Sequence, residues 1–248
     1  MLFMQQEKMH LVVFDIDGTL TATNRVDNEC FVSAMQEVLQ ITDIDTDWTK
    51  YGNVTDRGCL EEIVQKHKGR CGTETELNRV KRRHIALLRE RAESDAELFR
   101  SIRGAHETIE RLKMLPNVRI ALATGAWLES ALIKLRSARF TMESISLATC
   151  DDSISREEII RIAEARALQG AAFRFQTRTF VGDAVWDVQA AARLSYEFIG
   201  VYADSKADRL RAEGARWLIS DYGNGEIFFK ILEGIWNAEA PTRTTEVN

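Results

Sequence analysis

Close cysteine pairs, basic excess and long apolar runs are all missing from this 248-residue chain. Its four cysteines, Cys30, Cys59, Cys71 and Cys150, are widely scattered. That spacing excludes a metal knuckle or a redox dithiol and predicts free thiols in a reducing cytoplasm. With only four histidines and no His/Cys cluster, zinc has no evident ligand set. A formal net charge of −5 gives no overall basic footprint, so nucleic acid is not an expected partner; a polyanion would need a local patch. No stretch approaches the ~20 apolar residues of a membrane span. The opening Met-Leu-Phe-Met-Gln-Gln-Glu-Lys-Met-His has no long apolar core. The expectation is a soluble, cytoplasmic protein with no membrane partner. Internal repeats and low-complexity runs are also missing.

What is present is a hydrophobic fraction of 45%, enough to bury a full core in one large domain or two smaller ones. The most informative stretch is His10-Leu-Val-Val-Phe-Asp-Ile-Asp-Gly-Thr-Leu20. Leu11 to Phe14 is a bounded apolar run, the pattern of a strand buried on both faces of a parallel sheet. Asp15 and Asp17 therefore stand at its carboxyl end, where open α/β sheets bind their ligands. Side chains alternate along an extended segment, so the two acids point to one side and Ile16 to the other. Gly18 lets the backbone turn away. Two carboxylates this close need a cation between them, or one must keep its proton.

Downstream, helical spacing covers Val26 to Leu39, a polar loop with Trp48 and Tyr51 follows, and Thr55 to His67 reads as a helix that Thr55 caps. Glu74 to Arg103 reads as one long charged helix. No strand pattern occurs between Thr21 and Arg103, so this segment is an all-helical insert. From Gly104 the texture alternates. Helices are expected over Ala105–Leu115, Leu128–Ala138, Arg156–Leu168, Val185–Leu194, Lys206–Glu213 and about Glu226–Ile235. Strands are expected over Val118–Ala123, Ile145–Ala148, Arg178–Val181, Phe198–Tyr202 and Arg216–Ile219. This βαβ rhythm implies an α/β fold with a Rossmann-like parallel sheet. The resulting organisation is a core domain over 1–22 plus 104–240, a helical domain over 23–103, and a flexible tail over 241–248.

Other strand ends carry chemistry. Thr124-Gly125 follows the strand Val118–Ala123 and offers a hydroxyl and a glycine-freed backbone, either as an oxyanion seat or as a plain helix cap. Gly182-Asp-Ala-Val-Trp-Asp187 follows another strand, either as a metal seat or as favourable acidic charge at a helix start. Arg156 stands near the start of the helix between them.

Asp-x-Asp-Gly-Thr at 15–19 resembles motif I of the haloacid dehalogenase (HAD) superfamily of phosphohydrolases. Thr124, Arg156 and the Gly-Asp-x-x-x-Asp run ending at Asp187 resemble motifs II, III and IV in the same order. The resemblance implies the HAD fold, with the insert as a C1 cap after the first strand. It makes Asp15 the nucleophile of an aspartyl-phosphate intermediate and Asp17 the acid and then base. Thr124 and the Gly125 amide would hold the phosphoryl oxygens. Arg156 stands where a Lys is commoner, and it keeps a charge able to grip phosphate bidentately. Asp15, Asp17 through its carbonyl, and Asp183 would ligate Mg²⁺, with Asp187 orienting the site from beside it. Mg²⁺ suits so few carboxylates because it keeps several waters.

The run Thr55-Asp-Arg-Gly-Cys-Leu60 resembles caps of phosphoglycolate-phosphatase-like members, where Lys50, Tyr51, Thr55, Asp56 and Arg57 would face the site. Arg57 would meet a substrate carboxylate, or is a surface arginine at a helix start. Ala22 departs from the Asp that many such members carry. The implied function is hydrolysis of a small phosphorylated metabolite. A β-phosphoglucomutase-type phosphomutase keeps both acids and stays open, and a non-catalytic phospho-ligand-binding domain is the alternative of another class. Asp17 with Asp183 argues against a dehalogenase, which needs neither a second acid nor a metal. The basic run Arg79–His84 is assigned no function, since neighbouring glutamates offset it.

Overall fold

The computed structural model describes residues 8–171, 173–202 and 207–238. The expected tail at 241–248 and the expected helix start at Lys206 lie outside them.

Among the described residues, six parallel strands form one sheet: β1 (Met9–Phe14), β2 (Val118–Ala123), β3 (Ser146–Ala148), β4 (Phe175–Gly182), β5 (Glu197–Val201) and β6 (Trp217–Ile219). Their order is β3-β2-β1-β4-β5-β6. β1 lies inside the sheet, with Phe14 beside Leu122 of β2 on one side and Val181 of β4 on the other. All six of its residues are buried, which is why it reads as a continuous apolar run rather than an alternating one. Leu11 and Val13 belong to one core layer and Val12 and Phe14 to the other. Strand order reverses direction between β1 and β4, the topological switch point where such sheets open a crevice.

Between β1 and the rest of the sheet lie α1 (Asn24–Leu39), α2 (Asp56–Lys68) and α3 (Glu74–Ser94). Thr55 opens α2 by accepting the Gly58 amide at 3.1 Å. A capping box of Thr73 and Glu76 opens α3. The single helix expected through Arg103 instead stops at Ser94. Asp95 takes an extended backbone and accepts the Glu97 amide at 3.1 Å, starting a separate 3₁₀ turn over Ala96–Phe99 that buries Phe99. The insert shares a core with the sheet layer: Phe31, Met35, Leu60 and Val80 join Trp127, Cys150 and Ile159. The basic run on α3 is dispersed among carboxylates. Arg83 meets Glu37 and Glu90, Arg91 meets Glu29, and Lys81 meets Asp151.

The remaining helices are α4 (Ala105–Lys113), α5 (Leu128–Ser137), α6 (Arg156–Leu168), α7 (Val185–Leu194), α8 (Ala207–Ala212) and α9 (Gly225–Asn237). Among the described residues, no helix is long and apolar enough to cross a membrane. All four cysteines are free thiols.

Candidate active site

The site is assembled from strand ends. The Asp15 amide donates to the Val181 carbonyl at 2.9 Å, carrying the β1 pairing one residue further and setting Asp15 beside the end of β4. Gly18 then turns the chain with φ +75°. A Cβ there would stand 2.2 Å from both Asn24 Nδ2 and Asp183 Oδ2, so only glycine lets the turn press against the second acidic strand end. Asp183 follows β4, and Asn24 Nδ2 donates to its Oδ2 at 2.8 Å. Asp187, in the first turn of α7, accepts the Ala184 amide through Oδ2.

One oxygen from each of Asp15, Asp183 and Asp187 lies within 4.8 Å of the others, and all three residues are buried. Arg156, the first residue of α6, reaches in beside them. Its Nη1 donates to Asp15 Oδ1 at 3.3 Å, and its Nε lies 3.5 Å from Asp187 Oδ1. Burial, followed by the charge of Asp187, pushes the Asp15 carboxyl well above the usual range against the pull of Arg156. Burial likewise raises Asp187 to about 6. One guanidinium does not balance three buried carboxylates, so the cluster is electrostatically prepared for a further cation.

Thr124 directly follows β2 and is buried; its Oγ1 accepts the Ala126 amide at 3.1 Å within the turn, but it does not cap α5, which begins only at Leu128 after Trp127. At Gly125 the carbonyl accepts the Asp56 amide at 2.8 Å, and a Cβ would lie 3.2 Å from Arg156 Nη2. The turn is thus closed on one side by α2 and on the other by the arginine.

Asp17 is brought to the same mouth, but its carboxylate is held by other groups. Thr23 Oγ1 donates to Oδ1 at 2.5 Å and Lys134 Nζ to Oδ2 at 2.7 Å. Lys134, on α5, has no exposed side chain and also lies 2.6 Å from Asp27 Oδ1 on α1. His84 of α3 approaches that same oxygen at 3.2 Å and packs against the rings of Phe31 and Trp127. Burial opposes a charged lysine there, but Asp17 and Asp27 outweigh it and hold the ammonium protonated. Burial raises Asp17 despite Lys134. Asp27 is held well below the usual range because Lys134 and His84 overcome its burial.

A cavity of about 490 Å³ lies over these groups, walled by Asp15, Asp17, Thr124, Gly125, Arg156 and Asp183 on the sheet side. The insert contributes Asp27, Asn28, Phe31, Trp48, Thr55 and Asp56. Thr55 and Asp56 thus face the cavity, as the sequence suggested. Lys50, Tyr51 and Arg57 do not line it. Arg57 bridges Glu61 at 2.8 Å and Glu74 at 2.6 Å along the insert, the surface arrangement that was its other reading. Lys50 is spent on Asp45 and Asp47. Tyr51 gives its hydroxyl to the Asp45 carbonyl.

The model of the haloacid dehalogenase-like hydrolase family matches residues 9–194. The chain belongs to that family. Solved structures of similar fold include a hydrolase from Pseudomonas syringae, at 22% identity and TM-score 0.64, covering 93% of this chain and 99% of that one. A putative beta-phosphoglucomutase from Bacteroides vulgatus matches at 17% identity and TM-score 0.66, over 94% and 93% of the two chains. CbbY from Rhodobacter sphaeroides, solved in complex with phosphate, matches at 18% identity and TM-score 0.61, over 87% and 95%. No curated protein matches the chain. Within the family fold, the residues that sequence reasoning passed over are Asp27, His84 and Lys134. Two of them left a trace: Lys134 falls on the buried stripe Ala131, Leu135 of α5, and His84 on the stripe Val80, Leu88 of α3.

Asp56 offers a test of the electrostatics. Burial and the charge of Asp27 push its carboxyl up to about 7 from an ordinary 3.8. Between those values the unfolded chain ionises Asp56 while the folded chain keeps it neutral, so this group's stability contribution is lost as pH rises through the window. Asp56→Asn removes the titration and preserves an acceptor for the Trp127 amide, which Asp56 Oδ2 takes at 3.0 Å. The melting temperature of the parent minus that of the variant should therefore fall by a few degrees from about pH 5 to about pH 8. A flat difference would reject the raised pKa.

Proposed function

We propose that this HAD-family protein is a Mg²⁺-dependent phosphomonoesterase of the cytoplasm, acting on a small phosphorylated metabolite through a phospho-Asp15 intermediate. The observation carrying this reading is the buried triad Asp15, Asp183 and Asp187 with Arg156 against Asp15, at the switch point and beside the Thr124–Gly125 turn. The donor set fits Mg²⁺: the three clustered side-chain donors are carboxylate oxygens, to which the Asp17 carbonyl would add a fourth oxygen, and Asp187 Oδ1 is buried with no hydrogen-bond partner. When bound there, the ion supplies positive charge against the phosphoryl oxygens.

The protein groups do the rest. The Asp15 carboxylate attacks phosphorus while Arg156 and the Thr124–Gly125 turn offset charge on the phosphoryl oxygens. The new Asp15 O–P bond forms as the ester P–O bond breaks, and Asp17 gives its proton to the departing oxygen. Asp17, now ionised, takes a proton from water as that water attacks phosphorus. Asp15 is released with inorganic phosphate.

The cavity wall narrows the substrate. The cap cations Lys50 and Arg57 are committed to carboxylates outside the cavity, and Arg25, the cation that the insert adds among the lining residues described, pairs with Glu29. Asp27 and Asp56 face inward instead. The insert thus offers a second anionic group no free cation, and although Arg209 of α8 also lines the cavity from outside the insert, a leaving group without a second anionic group is favoured over phosphoglycolate, the substrate suggested by the cap resemblance. A panel of phosphorylated metabolites assayed with Mg²⁺ should show uncharged leaving groups preferred at least about tenfold in kcat/KM over carboxylated ones. One phosphate should be released per substrate consumed. Full turnover after exhaustive chelation would sink the Mg²⁺ requirement, and stoichiometric isomerisation of a hexose phosphate would establish the phosphomutase instead.

A further inference from the structure

Building on the phosphatase reading, we propose that Lys134 is the positioning residue for Asp17, fixing the acid's carboxylate from below and tying it to the first helix of the insert through Asp27. A lysine with no exposed side chain is costly to bury and needs compensating partners. Here the ammonium lies 2.7 Å from Asp17 Oδ2 and 2.6 Å from Asp27 Oδ1, so one group joins the sheet mouth to α1. Around that junction, Ser130 Oγ donates to Asp27 Oδ1 at 3.4 Å and His84 approaches the same oxygen. Thr23, the residue before α1, holds the other oxygen of Asp17. Both oxygens of Asp17 are therefore fixed, one by the residue at the base of the insert and one by a lysine that the insert also grips. Asp15 has no such tether. Its contacts are the metal-type cluster and Arg156.

The consequence is specific to proton transfer. Without Lys134, Asp17 is held by Thr23 alone and loses the geometry that aims a proton at the departing oxygen, while Asp15, Arg156 and the acidic triad keep their places. Loss of acid catalysis is felt most by basic leaving groups. The appropriate pair of probes is phenyl phosphate and p-nitrophenyl phosphate, similar in shape but differing in leaving-group basicity. The quantity to compare is kcat/KM, which reports steps up to departure of the phenol.

Lys134→Met should lower kcat/KM about 10²-fold for phenyl phosphate and no more than a few-fold for p-nitrophenyl phosphate. Asp27→Asn preserves shape and leaves Lys134 in place with a weaker anchor. It should show the same selective loss at smaller amplitude, and it carries the test if Lys134→Met fails to fold. Equal losses for the two esters would mean that Lys134 serves only the fold, and parental rates for both variants would mean that it serves neither; either result overturns the inference alone. A parent protein that hydrolyses neither ester with Mg²⁺ would overturn the phosphatase reading and the inference with it.

Discussion

Asp15→Asn is expected to lower turnover of any phosphomonoester substrate by about 10⁴-fold or more, because the attacking oxygen itself is removed and no neighbouring carboxylate occupies its position. Steady-state assay gives the rate. Trapping with BeF₃⁻, which mimics a phosphoryl group on a carboxylate, should raise the melting temperature of the parent and leave that of the variant unchanged. The same substitution is expected to raise metal-free stability, since it replaces a buried carboxyl whose ionisation is opposed by burial and by Asp187 and Asp183 with a neutral isostere. Loss of activity accompanied by a higher melting temperature is the combined signature. Retained turnover would assign the nucleophile elsewhere.

Arg156→Ala is expected to be the next most damaging change, at about 10²–10³-fold in kcat/KM, the usual consequence of removing a charge-stabilising donor. Its effect on stability should be equally visible. The guanidinium is largely buried between Asp15 and Asp187, and deleting one member of such a pair leaves carboxylates uncompensated at about 3–5 kcal/mol. Added Mg²⁺ should recover part of that loss, so the variant's melting temperature should rise more steeply with the ion than the parent's. Arg156→Lys keeps the charge and should retain much of the activity, losing the two-pronged reach that now touches both carboxylates. Parental rates in both variants would place the phosphoryl-binding cation on another residue.

The sheet was readable because its strands are buried on both faces and its helices carry clear stripes. Val118–Ala123, Arg156–Leu168 and Val185–Leu194 coincide with the expected ranges, and the ends of other elements differ by a few residues. The long helix after Glu74 was misjudged because Asp95 breaks it by a local side-chain bond that periodicity cannot register. At the site, Asp15, Asp183, Asp187 and Thr124 are legible from strand ends read together with the ordered motifs, Arg156 from its spacing within that order, and in the structure they converge. The polar junction beneath them was not found. Asp27, His84 and Lys134 belong to three helices distant in sequence, and each looks ordinary on its own helix. Only tertiary packing shows that a lysine on an apolar stripe has two carboxylates waiting for it. The insert's cations failed for the converse reason: Arg57 has Glu61 one helical turn away and Glu74 close in space, and local ion pairing took it out of the cavity.

The central place of β1 has a consequence for biosynthesis. Val12 pairs with Ile120 on one side and Thr179 on the other, so the strand that leaves the ribosome first among those described acquires its neighbours only after long stretches of chain have followed. At a synthesis rate of about 5–20 residues per second, β1 waits roughly 10–30 s for β4. During that interval an apolar segment with both hydrogen-bonding edges open until β2 emerges, and one open thereafter, is exposed to other nascent chains and to chaperones. The same non-local pairing makes the sheet intrinsically slow to assemble. Conditions that delay elongation past residue 182 should therefore reduce the soluble yield of this protein more than they reduce the stability of the finished molecule.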